Sequence, residues 1–135
     1  MGQKGGEMVT ATTDGRNIRI LVADDNRDAA SALTVLLSRW GFEVSSAFDG
    51  QSALDKALAF HPDLILLDIA MPRLDGCAVA ERIRAGREYR NPKLIAVTAF
   101  DSDDHRRRAQ QAGFDLYFVK SGAPAALNEA IRRVL

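Results

Sequence analysis

Five short aliphatic stretches alternate along the chain with amphipathic ones. Ile18 to Ala23 is almost wholly aliphatic and ends in Asp24-Asp25. Leu33, Leu36, Leu37 and Trp40 then recur at helical spacing, and Gly41 closes the helix they predict. Phe42 to Phe48 alternates as a half-exposed edge strand does. Asp49 is placed to cap a second helix, whose Ala53, Leu54, Ala57 and Leu58 share one face and which His61-Pro62 ends. Asp63 to Asp68 repeats the first pattern: Leu64-Ile65-Leu66-Leu67 runs directly into a carboxylate. After a loop with Pro72 and Asp75-Gly76, Val79, Ala80 and Ile83 mark the inner face of a third helix. Lys93 to Thr98 reads as the fourth strand. A polar helix starts near Asp101 to Asp104, where carboxylates suit the positive helix end, and Gly113 stops it. Phe114 to Lys120 is the fifth strand, and Pro124 opens the last helix, a place where proline is tolerated.

Continuous aliphatic strands imply a parallel sheet covered on both faces, because a one-sided sheet would alternate. With right-handed crossovers the expected fold is α/β, a doubly wound five-stranded parallel sheet in a three-layer sandwich. The 135 residues suit one domain, with residues 1–16 a flexible leader and residues 17–135 the folded unit. Met8 is an alternative start, which makes residues 1–7 a candidate non-native extension. The leader lacks the apolar core of a signal peptide, and no apolar run approaches the length of a membrane span. A net charge of +0 gives no polyanion-binding surface, so no direct nucleic-acid contact and no membrane contact are expected. Cys77 is the one cysteine, which excludes an internal disulfide and fits a cytoplasmic protein. With only His61 and His105 besides, a zinc site has no ligand set.

In doubly wound sheets ligands bind beyond the carboxyl ends of the strands. Here those ends carry Asp24 and Asp25, Asp68, Thr98 and Lys120. Singly each has an ordinary reading: the aspartates as helix caps or strand ends, the lysine as a solvated charge. Together they are different, because clustered carboxylates repel and one ammonium cannot neutralise three of them. A divalent cation is the natural complement, and all-oxygen ligands favour magnesium, with manganese an alternative, over zinc. A carboxylate beside such an ion can attack phosphorus to give an aspartyl phosphate.

The segment Leu66-Leu67-Asp68-Ile69-Ala70-Met71-Pro72-Arg73-Leu74-Asp75-Gly76 carries a specific resemblance, joined by Asp24-Asp25, Val97-Thr98-Ala99 and Tyr117-Phe118-Val119-Lys120. Over about Ile18 to Leu135 the chain resembles the receiver domains of bacterial two-component response regulators. The resemblance implies the flavodoxin-like strand order 2-1-3-4-5. It makes Asp68 the phosphoacceptor in a phosphorelay. Asp25, Asp68 and the backbone carbonyl of Ala70 would hold Mg2+, with Asp24 assisting partly through water. Thr98 and Lys120 would contact the phosphoryl group, and Tyr117 matches an aromatic that turns inward as the threonine moves. The phosphoryl donor implied is a histidine kinase or a histidine phosphotransfer protein. Added charge would shift a conformational equilibrium that a downstream protein reads on helix four, strand five and helix five. Such a domain is no enzyme beyond catalysing its own phosphorylation and dephosphorylation. It is either a stand-alone regulator or the receiver segment of a hybrid histidine kinase. Arg106-Arg107-Arg108 lies on helix four, as a solvated face or a partner contact.

Two positions depart from the family pattern. Ser121 follows the lysine where relatives carry proline, often after a cis peptide. A non-proline cis bond costs about 2.5–4 kcal/mol, so a trans Lys120–Ser121 peptide and a looser lysine are expected. Ala70 and Phe100, two residues beyond Asp68 and Thr98, cannot orient a water by side-chain hydrogen bonding, and Phe100 is placed to shield the site. Slow self-dephosphorylation follows. Among rivals, a flavodoxin would need a Ser/Thr/Gly-rich cradle where Asp24-Asp25 stands. A dinucleotide-binding domain would need a G-x-G-x-x-G turn. An aspartyl phosphatase would need an acid at Ala70. A non-phosphorylated pseudo-receiver acting as an interaction module is the remaining alternative, because Ser121 weakens the usual site.

Overall fold

The computed structural model describes residues 12–13, 16–120 and 123–135. The five sheet strands are β1 (Arg19–Ala23), β2 (Glu43–Ala47), β3 (Leu64–Leu67), β4 (Lys93–Thr98) and β5 (Leu116–Val119). Helices α1 (Arg27–Arg39), α2 (Gly50–Phe60), α3 (Gly76–Ala85), α4 (Asp103–Ala112) and α5 (Pro124–Val134) follow them in turn. All strand pairs are parallel, in the order 2-1-3-4-5. Two small elements were not anticipated: a two-residue antiparallel pairing of Thr12–Thr13 with Arg16–Asn17, across the expected boundary between leader and folded unit, and a 3-10 turn at Arg87–Tyr89.

Alternate residues of the inner strands serve opposite cores, which is why polar residues stand only at the strand ends, as Arg19, Lys93 and Thr98 do. Leu21 and Ala23 of β1, Ile65 and Leu67 of β3, and Leu94 and Ala96 of β4 pack with α2, α3 and α4. Ile20 and Val22, Leu64 and Leu66, and Ile95 and Val97 pack with α1 and α5. The edge strands β2 and β5 are only partly buried. Winding reverses after β2, so crossovers of one hand carry α1 to one face and α2 to α4 to the other. The reversal leaves a crevice between the carboxyl ends of β1 and β3. Among the described residues no helix is long and apolar enough to cross a membrane.

The caps refine one expectation. Asn26, and neither Asp24 nor Asp25, caps α1 by accepting from the Ala29 N–H at 3.0 Å. That frees the two aspartates for the rim. Asp49 caps α2 as expected, Asp75 caps α3, and Ser102 caps α4 ahead of Asp103 and Asp104. Gly113 ends α4 at a φ of 105°, in the left-handed region that favours glycine.

Candidate functional site

The aliphatic runs of β1 and β3 each end in acid, and their parallel register brings the acids side by side: Ala23 pairs with Leu67, so Asp24 and Asp68 are neighbours. The Asp68 N–H donates to the Ala23 carbonyl at 2.9 Å. Asp24, Asp25 and Asp68 each present a carboxylate oxygen within 4.8 Å of the others. Asp24 and Asp68 are buried and Asp25 is exposed, so the cluster opens to solvent on one side. Lys120, one residue beyond β5, reaches across the sheet. Its Nζ donates to Asp24 Oδ2 at 3.1 Å and lies 3.6 Å from Asp68 Oδ2. The Lys120 N–H donates to the Thr98 carbonyl at 2.7 Å, which fixes the base of that side chain.

Asp24 has both oxygens engaged, Oδ1 accepting from the Asn26 N–H at 2.9 Å and Oδ2 from Lys120. Asp68 Oδ1 accepts from the Ala70 N–H at 2.9 Å. Each engaged oxygen keeps a second lone pair, so all three carboxylates can still face a ligand, Asp25 and Asp68 Oδ2 most openly. Burial pushes the Asp68 carboxyl above its ordinary pKa; the Ala70 N–H and Lys120 oppose this, and the Asp24 and Asp25 charges add to it. Burial alone would lower the Lys120 ammonium, but its hydrogen bond to Asp24 and the two facing carboxylates outweigh that and raise it. Three carboxylates against one ammonium leave an excess of negative charge in a half-enclosed site, and the donor set is hard oxygen throughout. These residues fit a divalent cation of the magnesium type.

Thr98, at the end of β4, is fully buried, and its Oγ1 accepts from the Phe100 N–H at 3.2 Å. Tyr117 is half-buried, with its hydroxyl donating to the Phe100 carbonyl at 2.6 Å and the Arg106 guanidinium 4.7 Å over its ring. Phe100 is 47% exposed and stacked on His105, with centroids 4.9 Å apart. Ala70 is exposed. Ser121, and with it the Lys120–Ser121 peptide, lies outside the described residues.

Sequence reasoning missed Gly76. A Cβ there would come within 2.4 Å of the Asp68 carbonyl and 2.7 Å of Ile69 Cα, so only glycine lets α3 start against the Asp68 backbone. Asp75-Gly76 belongs to the resembling segment and to the loop before α3, and a carboxylate three residues before Ala78 is itself a cap signal.

The model of the response regulator receiver domain family matches residues 20–132. Response regulator MprA of Mycobacterium tuberculosis strain H37Rv is 38% identical over 118 residues, 87% of this chain and 49% of that protein. The chain thus spans about half the length of the curated relatives it matches. Among solved structures, chemotaxis protein CheY4 of Vibrio cholerae superposes with a TM-score of 0.83 at 27% identity, covering 87% of this chain and 98% of that one. The receiver domain of sensor histidine kinase PA1611 from Pseudomonas aeruginosa, with magnesium coordinated in its active-site cleft, superposes with a TM-score of 0.79 at 31% identity, covering 87% and 96%. A flavodoxin-like sheet with an acidic rim at its switch point, matched from Ile20 to Arg132, makes this chain a member of the response regulator receiver domain family.

Proposed function

We propose that this receiver domain accepts a phosphoryl group on Asp68 in the presence of Mg2+, within a two-component phosphorelay. The observation that carries this reading is the convergence of Asp24, Asp25 and Asp68 oxygens within 4.8 Å, with the Lys120 ammonium 3.1 Å from Asp24 and 3.6 Å from Asp68. Asp68 Oδ1 is oriented by the Ala70 N–H, so Oδ2 is the nucleophile. It forms an O–P bond as the donor's bond to phosphorus breaks, and the donor keeps the electron pair. Lys120, already beside Oδ2, pairs with an equatorial phosphoryl oxygen. The Thr98 hydroxyl still has its own proton to donate to another. Asp25, Asp68 and the Ala70 carbonyl would hold Mg2+, with Asp24 assisting, and the ion would screen the charge between carboxylate and phosphate. The magnesium in the related PA1611 receiver supports that assignment.

The donor is a histidine kinase or a histidine phosphotransfer protein, and Tyr117 and Thr98 are the switch pair. The chain is no enzyme beyond its own phosphorylation and slow dephosphorylation. Residues 17–135 are the receiver unit. Acetyl phosphate with Mg2+ and intact-mass detection tests the reading. Wild type gains one phosphoryl mass, and Asp68→Asn or EDTA-treated protein gains none. An unmodified wild type with Mg2+ present sinks it in favour of a pseudo-receiver.

A further inference from the structure

Helix α4 is weakly anchored by apolar contact. Its only buried residues are Ala109 and Ala112, the smallest anchors available to a helix. Its arginine run compensates in a specific way. Among the described residues Arg107 pairs only with Asp104 on its own helix, at 2.9 Å. Arg106 and Arg108 look outward to different neighbours. Arg106 holds Asp101 at 2.9 Å and lies over the Tyr117 ring of β5. Arg108 reaches Asp75 at 3.3 Å, across to the start of α3.

Both routes end at the site. Tyr117 donates to the Phe100 carbonyl, and the Phe100 N–H donates to Thr98 Oγ1. Asp75 uses one oxygen to cap α3 and the other to hold Arg108. The next residue, Gly76, donates its N–H to Ile69 and packs on the Asp68 carbonyl. A continuous series of contacts therefore runs from Asp68 through Asp75 and Arg108 to α4, and back through Arg106, Tyr117 and Phe100 to Thr98.

We propose that Arg106 and Arg108 form a two-sided electrostatic latch that sets the position of α4 and couples it to phosphoryl occupancy of the Asp68 site. The regulatory half rests on the phosphoacceptor reading; the mechanical half does not. Exposed ion pairs contribute little singly, so each arm biases the helix by about two- to five-fold, enough to tilt a balanced equilibrium. Because the pairs are exposed, salt at molar concentration screens them. Coupling is reciprocal: whatever the latch does to α4 when phosphate binds, loosening α4 must do to phosphate affinity.

The experiment compares wild type with Arg106→Gln, Arg108→Gln, their double variant, and Arg107→Gln as the charge-matched control. Amide hydrogen exchange across α4 is measured at low salt and in 1 M NaCl. Faster exchange, about two- to five-fold in each latch variant and more in the double, is expected at low salt. The control should match wild type, and high salt should bring wild type toward the double variant. Equal exchange in latch and control variants would overturn the latch. Affinity for beryllofluoride with Mg2+ is then titrated. It should change at least two-fold in the latch variants and not in the control. Unchanged affinity would overturn the coupling. Wild type that binds no beryllofluoride would instead overturn the phosphoacceptor reading, leaving exchange to decide the latch.

Discussion

Replacing Asp68 by asparagine should stabilise the metal-free protein. The change keeps the side chain's shape and lets Oδ1 go on accepting from the Ala70 N–H, while removing one of three clustered charges. At 4.8 Å a pair of like charges repels by about 3.5 kcal/mol at an effective dielectric of 20 and by about 0.9 kcal/mol in water. The buried Asp24 belongs nearer the first figure and the exposed Asp25 nearer the second. Lys120 at 3.6 Å returns attraction between about 1.2 and 4.6 kcal/mol on the same scale. The Coulomb terms nearly cancel, and burial of the carboxylate decides the sign, as the upward displacement of the Asp68 pKa also indicates. The asparagine variant should therefore gain on the order of 1–2 kcal/mol, the low end for an ion whose site opens to solvent. That corresponds to about 3–10 °C in melting temperature for a domain of this size. The native pKa of Asp68 lies above its ordinary 3.8, so its burial penalty is absent below that value. It grows as pH rises from there toward the native pKa and levels off above it. Thermal melts in EDTA at neutral pH should show a larger gain than melts below about pH 4, where it fades. An asparagine variant that melts at or below wild type at neutral pH would refute the reasoning.

Other substitutions separate the roles of neighbouring groups. Lys120→Ala leaves Asp24 without its cation and should cost about 1–3 kcal/mol in EDTA, part of it restored by Mg2+, as melts with and without the ion would show. Gly76→Ala should lose stability by about 2 kcal/mol or more, against the usual gain of about 1 kcal/mol in a helix, because the atoms it meets are backbone. Denaturant titration checks that sign, and a stable alanine variant would mean the α3 start moves freely. Ala70→Asn adds an amide able to orient water beside Asp68 and should speed loss of phosphoryl label several-fold in a time course of intact mass. An unchanged rate would remove the reason for expecting slow self-dephosphorylation.

The parts of the fold that were legible are those in which short-range pattern and long-range packing agree. Leu64-Ile65-Leu66-Leu67 is wholly buried, so its composition alone announced a central strand, and the carboxylate directly after it announced a rim residue. Edge strand β2 was legible as half-exposed, and it is only partly buried, although its burial does not alternate residue by residue. Where polar residues stand in a row the pattern loses resolution. Asp24, Asp25 and Asn26 all suit a cap, and only the backbone geometry gives that task to Asn26. Partners distant in sequence were invisible: Arg108 meets Asp75 33 positions away, and Tyr117 meets Phe100 17 positions away. So the arginine run looked like a uniform solvated face, although its members have different attachments.

The central claim, an aspartyl phosphate at Asp68, is tested most directly by trapping the acyl phosphate. Protein treated with acetyl phosphate and Mg2+ is reduced with borohydride, which turns a phosphorylated aspartate into homoserine, and digested for peptide mass mapping. The account predicts homoserine at position 68 and at no other aspartate. Conversion at Asp24 or Asp25, or none anywhere, would contradict it.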